Sequence, residues 1–206
     1  MEKKRNKKTC KNCKERFQPE RDMIEPLCSV ECVLEWRRKL RDKNWKKERA
    51  VLKITTHSKE YKKALQDEIN KLSRLIDSKF GNITCIDCNK NFGKQIDAAH
   101  YHSRGANSSL KYHLDNLHSA RSECNQWSDS HKSGYKLGLM ERYGKQYAEH
   151  VIEELPLKYP YIKLSSQEVF DKLSIVRKLI RDFDTFVFSD SLSARKKLNE
   201  IIGIYY

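Results

Sequence analysis

The chain has 206 residues, 38% of them apolar and 34% charged, which limits the core to a modest size and excludes one large globule. Forty-two Lys and Arg against 28 Asp and Glu leave a formal charge of +14, a balance that favours a polyanionic partner, nucleic acid before any other. No apolar run approaches the roughly 18 residues of a membrane-spanning helix, and the start MEKKRNKKTC lacks an apolar signal core, so no membrane role and a cytoplasmic location are expected.

Six of the seven cysteines fall in close pairs, which reads as thiolates for metal rather than disulfides. Cys10 and Cys13, then Cys28 and Cys32, with Pro19 and Pro26 between the pairs, supply four soft ligands on two tight turns. That spacing predicts a zinc knuckle over residues 1–35, held by metal rather than by a hydrophobic core. Residues 36–80 read as long basic helix without Gly or Pro, and TTHS at 55–58 marks a place where it can divide. Residues 1–56 hold 18 Lys and Arg against 9 Asp and Glu, so most of the positive charge is amino-terminal. Tyr61, Leu65, Ile69, Leu72 and Ile76 form one apolar stripe, which predicts packing on a core, with a coiled coil as the second reading.

Residues 81–156 change character, with glycines, short apolar runs and a concentration of Cys, His, Asn and Asp. ITCIDCNKNFGKQIDAAHYHS predicts two strands joined by a knuckle at Cys85 and Cys88, with Ile96, Ala98 and His100 alternating. Residues 157–206 return to helix, opened by a Ser165/Glu168 capping-box pattern before Val169, Leu173, Val176, Ile180 and Phe183.

A strand with a histidine, a loop with an asparagine and a helix start with Asn or His is the order of H-N-H (ββα-metal) nucleases. Phosphodiester hydrolysis needs a base for water, a divalent cation for the charge on phosphate and leaving oxygen, and a group holding the base in register. CKNCKERFQPERD, CSVEC, IDAAHYHS, DNLHSARSECNQ and HKSG resemble, in order and spacing, the NinG (Rap) family of lambda-type phage recombination endonucleases. The resemblance covers the knuckle and residues 80 to about 155, and for the long helix it is one of character only.

The resemblance implies an α+β, helix-rich fold with an H-N-H-like core, and a metal-dependent endonuclease that cleaves Holliday junctions and D-loops. It further implies a homodimer, phage recombination proteins as partners, Mg²⁺ or Mn²⁺ for catalysis, structural zinc and the bacterial host cytoplasm. His100 stands at the family's histidine, with Ala99 in place of a glycine, and is the candidate general base. His102 shares its strand face and is the alternative base, His100 then becoming a metal ligand. Asp97 is either a metal ligand reached through a bulge or a structural partner. Asn116 matches the asparagine expected to hold the loop over the base, and Asn125 stands where a catalytic metal ligand is placed. Arg104, Lys111, Arg121, Lys132 and Lys136 are candidate DNA contacts.

Two departures matter. The family's second zinc pair is Cys-x2-Cys, but here Arg121 occupies the first position and only Cys124 remains. Either His118 or His131 completes a site with Cys85, Cys88 and Cys124, or that zinc is lost and packing replaces it. Three extra residues, WSD, precede HKSG and shift His131 and Lys132. Two rivals stand beside the nuclease: a non-catalytic zinc protein that binds branched or single-stranded DNA, and a nicking or homing-type nuclease that reads sequence.

Overall fold

The fold is given by a computed structural model that describes residues 6–19, 25–127 and 131–205, without the side chains of residues 126, 127 and 131. It is a helix-rich α+β chain with two small antiparallel sheets, and its contacts divide it into two compact units, 1–56 and 57–206. The four sequence segments distribute over these two. The break at TTHS separates α1 (Val30–Thr56) from α2 (Ser58–Lys79), and the two helices belong to different units.

In the first unit, β1 (Lys8–Thr9) pairs with β2 (Arg16–Phe17) around a turn closed by the Lys14 amide on the Cys10 carbonyl at 3.1 Å. Lys14 adopts φ of +68°, the left-handed conformation that so tight a turn needs. The Lys11 amide bonds the Pro26 carbonyl at 2.8 Å, docking the second cysteine segment on the first. Helix α1 then leaves the knuckle with 27 residues and no buried side chain.

The second unit is built around α2. Leu65, Ile69, Leu72 and Ile76 are all fully buried, so the apolar stripe is a core face. Each such side chain contributes about 1.5–3 kcal/mol of burial. Its principal neighbour is α7 (Ser166–Arg181), where Tyr61 meets Phe170 edge to face at 5.1 Å. The Ser165/Glu168 capping box closes the start of α7. Helix α8 (Ser191–Ile202) ends on Gly203 in the left-handed conformation.

The sheet of this unit differs from the expected one. Strand β3 (Ile96–His100) runs antiparallel to β4 (Leu117–Arg121), in unbroken register from Ile96 opposite Arg121 to His100 opposite Leu117. The expected first strand near Cys85 shrinks to one bridge between Thr84 and Asn91. LHSAR escapes a pattern reading because Leu117, His118, Ser119 and Ala120 are all buried, which erases the alternation of a half-exposed strand. A single-turn 3-10 helix, Leu114–Asn116, leads into β4, and α3 (Ser122–Trp127) follows it. Then come α4 (His131–Tyr143), α5 (Lys145–Glu149), a π-helical turn at His150–Glu154 and α6 (Leu155–Lys158).

A buried ion pair locks these layers. Arg195 of α8 reaches Asp77 of α2 at 2.6 Å, both side chains almost wholly buried, and also bonds the Leu114 and Leu117 carbonyls. The second Asp77 oxygen accepts from the Ser119 amide of β4 at 2.7 Å. Removing one partner leaves the other charged and unpaired. Arg195→Leu should therefore lower unfolding free energy by about 3–5 kcal/mol in urea denaturation of the full chain.

Candidate functional site

Beta strand β3, α2, the loop after β3 and α3 enclose one open polar cleft of about 560 Å³. The hairpin supplies Asp97, Ala98 and His100, the loop Ser103 and Arg104, α3 Asn125, and α2 Asp67, Asn70 and Arg74. Asp97, His100, Arg104 and Asn125, singled out from the sequence, thus line one space. No bulge interrupts β3, and the Asp97 carboxylate accepts from Asn125 Nδ2 at 3.2 Å and from Gln95 Nε2 at 3.2 Å.

His100 Nε2 lies 3.0 Å from the Lys111 carbonyl oxygen. A carbonyl only accepts, so the proton sits on Nε2 and Nδ1 carries the lone pair. Gln66 Nε2 donates to the same carbonyl at 3.0 Å and to Asn70 Oδ1 at 2.9 Å, fixing the loop to α2 behind the ring. Burial, opposed by the Lys111 carbonyl and aided by the nearby Arg104 charge, pushes His100 down to about 4. The ring is therefore neutral near pH 7.

His102 and Asn116 sit behind the cleft rather than on it. His102 Nε2 meets the Val151 carbonyl of the π turn at 2.9 Å, and its backbone amide donates to Asn116 Oδ1 at 2.8 Å. Asn116, fully buried, returns Nδ2 to the carbonyls of His102 and Leu110, both at 3.1 Å. The asparagine staples the loop that carries Arg104 and Lys111.

Four sulfurs, of Cys10, Cys13, Cys28 and Cys32, lie within 4.8 Å of one another, with Cys13 to Cys28 and Cys28 to Cys32 both at 3.4 Å. A tetrahedral Zn–S bond of about 2.3 Å implies sulfur separations of about 3.8 Å, so this cluster fits a metal such as zinc. Burial opposes ionisation of Cys10, yet the amides of Cys13, Cys28 and Asn12 bring its thiol down to about 6.

Cys85, Cys88 and Cys124 also bring their sulfurs within 4.8 Å of one another. His118 does not join them. It lies in the core with Nδ1 at 3.0 Å from the Tyr135 hydroxyl, which donates onward to the Ala99 carbonyl at 3.0 Å, and its Nε2 has no hydrogen-bond partner. The side chain of His131 and the WSD stretch fall outside the described residues. At the missing corner the Arg121 amide donates to Cys85 Sγ at 3.3 Å, while its guanidinium pairs with Glu123 at 2.9 Å.

A family model described as bacteriophage lambda NinG protein matches residues 2–184. The chain belongs to the NinG family. Membership suggests a role related to phage recombination. No curated protein and no solved structure matches the chain. No helix among the described residues is long and apolar enough to cross a membrane.

Of the other cations singled out, Arg104 and Lys132 are exposed and Lys111 is half-buried. The residues that sequence reading missed are on α2. Gln66, Asn70 and Arg74 recur at four-residue spacing beside the apolar stripe, and polar groups on the flank of a buried face were the available signal.

Release of metal by denaturation into a chromogenic chelator should give about one zinc per chain, and none from Cys28→Ser. Stability should also fall with acid. Burial holds His100 and His113 near 4 and His118 well below its ordinary value. The unfolded chain then takes up protons below about pH 6.5 that the folded chain refuses until about pH 4. Unfolding free energy measured across that window should drop on the order of 3 kcal/mol for each of His100 and His113.

Proposed function

We propose that this NinG-family chain is a metal-dependent, structure-selective DNA endonuclease of H-N-H type that cleaves branched recombination intermediates, Holliday junctions and D-loops. The observation that carries the reading is the cleft, where a neutral histidine oriented by a backbone carbonyl stands among oxygen donors and two arginines at a hairpin followed by a helix. In this reading His100 Nδ1 takes a proton from water as the water oxygen attacks phosphorus. The P–O3′ bond breaks, leaving a 5′ phosphate and a 3′ hydroxyl. Arg74 and Arg104 hold the phosphate by its charge.

Asp67, Asp97, Asn70 and Asn125 supply hard oxygen atoms, the donor type that suits Mg²⁺ or Mn²⁺. Ions of this kind keep waters and take phosphate oxygens as further ligands, so a few side-chain oxygens suffice to hold one. Such an ion, when bound, stabilises the charge that develops on the phosphate and the leaving oxygen. Helix α1 supports duplex binding: nine Lys and Arg against four Asp and Glu lie on a helix about 40 Å long that buries no side chain fully.

Labelled four-way junctions, D-loops and linear duplex, incubated with Mg²⁺ or Mn²⁺, test the reading. Branched substrates should be cut, and His100→Ala should slow cutting by roughly 10²–10⁴-fold with zinc content unchanged and the chain still folded by circular dichroism. Tight binding of junctions without cutting would place the chain among non-catalytic DNA-binding zinc proteins. Cutting of linear duplex at fixed sites would make it a sequence-reading nuclease.

A further inference from the structure

A second cavity of about 610 Å³ shares no residue with the cleft and opens between the Leu114–Asn116 turn, the π turn, α6 and α8. Its walls are aromatic and fixed. The Tyr205 hydroxyl donates to the Ser109 carbonyl at 2.7 Å, and its ring lies 4.5 Å from His113 and 5.1 Å from Tyr159, edge to face in both cases.

Asp115 brings a carboxylate to the wall of this cavity. Asp115 is 9% exposed, and its Oδ1 accepts from the Tyr147 hydroxyl at 3.1 Å. Its Oδ2 lies 3.7 Å from His113 Nδ1, but that nitrogen already accepts from the Asp115 amide at 3.2 Å and so has no proton to give. The Asp115 carboxylate thus lines the open space with one oxygen that His113 does not serve. A carboxylate oxygen at such a wall is a strong acceptor for a ligand N–H. At the rim, Lys158 and Lys196 are exposed cations.

A ligand that answers all three features has a flat aromatic body, an amino group for Asp115 and an anion for the lysines. We propose that this cavity holds an unpaired nucleobase bearing an exocyclic amine, with its phosphate at Lys158 and Lys196. Thymine, which has no such amine, is the base that the cavity should reject. The inference rests on the reading that the substrate is branched DNA, and it gives branch selectivity a physical source. An unpaired base is available at a junction or displaced strand and not inside linear duplex. The cavity also touches the catalytic loop, because Asp115 adjoins the Asn116 that staples His102.

The test is equilibrium binding of the full, zinc-loaded chain, without cleavage. Labelled oligo-dC should bind about tenfold more tightly than oligo-dT of equal length in fluorescence anisotropy. Tyr159→Ala should lower the oligo-dC affinity about tenfold, and Asp115→Asn should erase the difference between dC and dT. Lys158→Ala with Lys196→Ala should weaken both oligomers alike. Because Asp115→Asn also disturbs a buried bond, the half-buried Tyr159 and the exposed lysines carry the test should that variant fail to fold. Competition by dCMP but not dTMP would identify a free nucleotide as one source of the ligand, and binding of the oligomer alone would assign it to a strand. Equal affinity for oligo-dC and oligo-dT in the unaltered chain, or no effect of Tyr159→Ala, overturns the inference. A chain that cuts junctions yet shows no base preference sinks this proposal alone. One that prefers oligo-dC yet cuts nothing sinks the nuclease reading alone.

Discussion

The geometry of residues 57–206 depends on the buried Asp77–Arg195 pair. Two charges taken out of water are tolerated only when each is answered by several partners, and here they are. Asp77 takes the Ser119 amide of β4 as well as the guanidinium, and Arg195 holds the carbonyls of Leu114 and Leu117. Those two carbonyls bracket Asp115 and Asn116. The pair therefore fixes the segment whose asparagine staples the loop, and that loop in turn presents the Lys111 carbonyl to His100. A histidine on an edge of a two-stranded sheet would otherwise have little to orient it.

The same chain of contacts explains which parts were legible in the sequence. The cluster of Cys10, Cys13, Cys28 and Cys32 was legible by spacing, because two tight turns that each present two thiolates can bring four soft ligands together without a hydrophobic core. The α2 stripe and the α7 capping box were equally plain, since both rest on helical periodicity and local backbone bonds. The second strand was not. LHSAR is buried on both faces, with His118 and Ser119 in the core, so its polar residues looked like loop. The contribution of α2 to the cleft was hidden for a related reason. Gln66 and Asn70 read as the solvent side of an amphipathic helix until the loop carrying Lys111 is folded over them.

Site residues divided along the same line. Asp97, His100 and Asn125 were found because they are close in sequence order to a family pattern, and the structure gathers them in one cleft. His118 illustrates the limit of such a pattern. Its position suits a ligand, but neutral imidazole in a buried, tyrosine-lined core is also a good packing group, and Tyr135 claims it.

The place of Arg121 follows from packing around the second cysteine group. A structural zinc with four thiolates braces a loop that nothing else holds, whereas the Cys85–Cys88 turn is held in other ways. The Ile86 amide bonds the Ser119 carbonyl at 3.0 Å, and Cys85 closes its own turn through Lys90 and Asn89. Helix α4 lies so close that a methyl group on Gly138 would overlap the Ile86 carbonyl, and one on Gly134 would overlap Asp87. The Arg142 guanidinium bonds the Thr84 carbonyl at 3.0 Å, just before the turn. The knuckle is thus pinned to β4 and α4 by contacts that involve no metal ligand beyond Cys85. At the position of the absent cysteine, Arg121 places its amide on Cys85 sulfur and a positive charge beside Cys88 and Cys124, at the end of the strand that pairs with the one bearing His100.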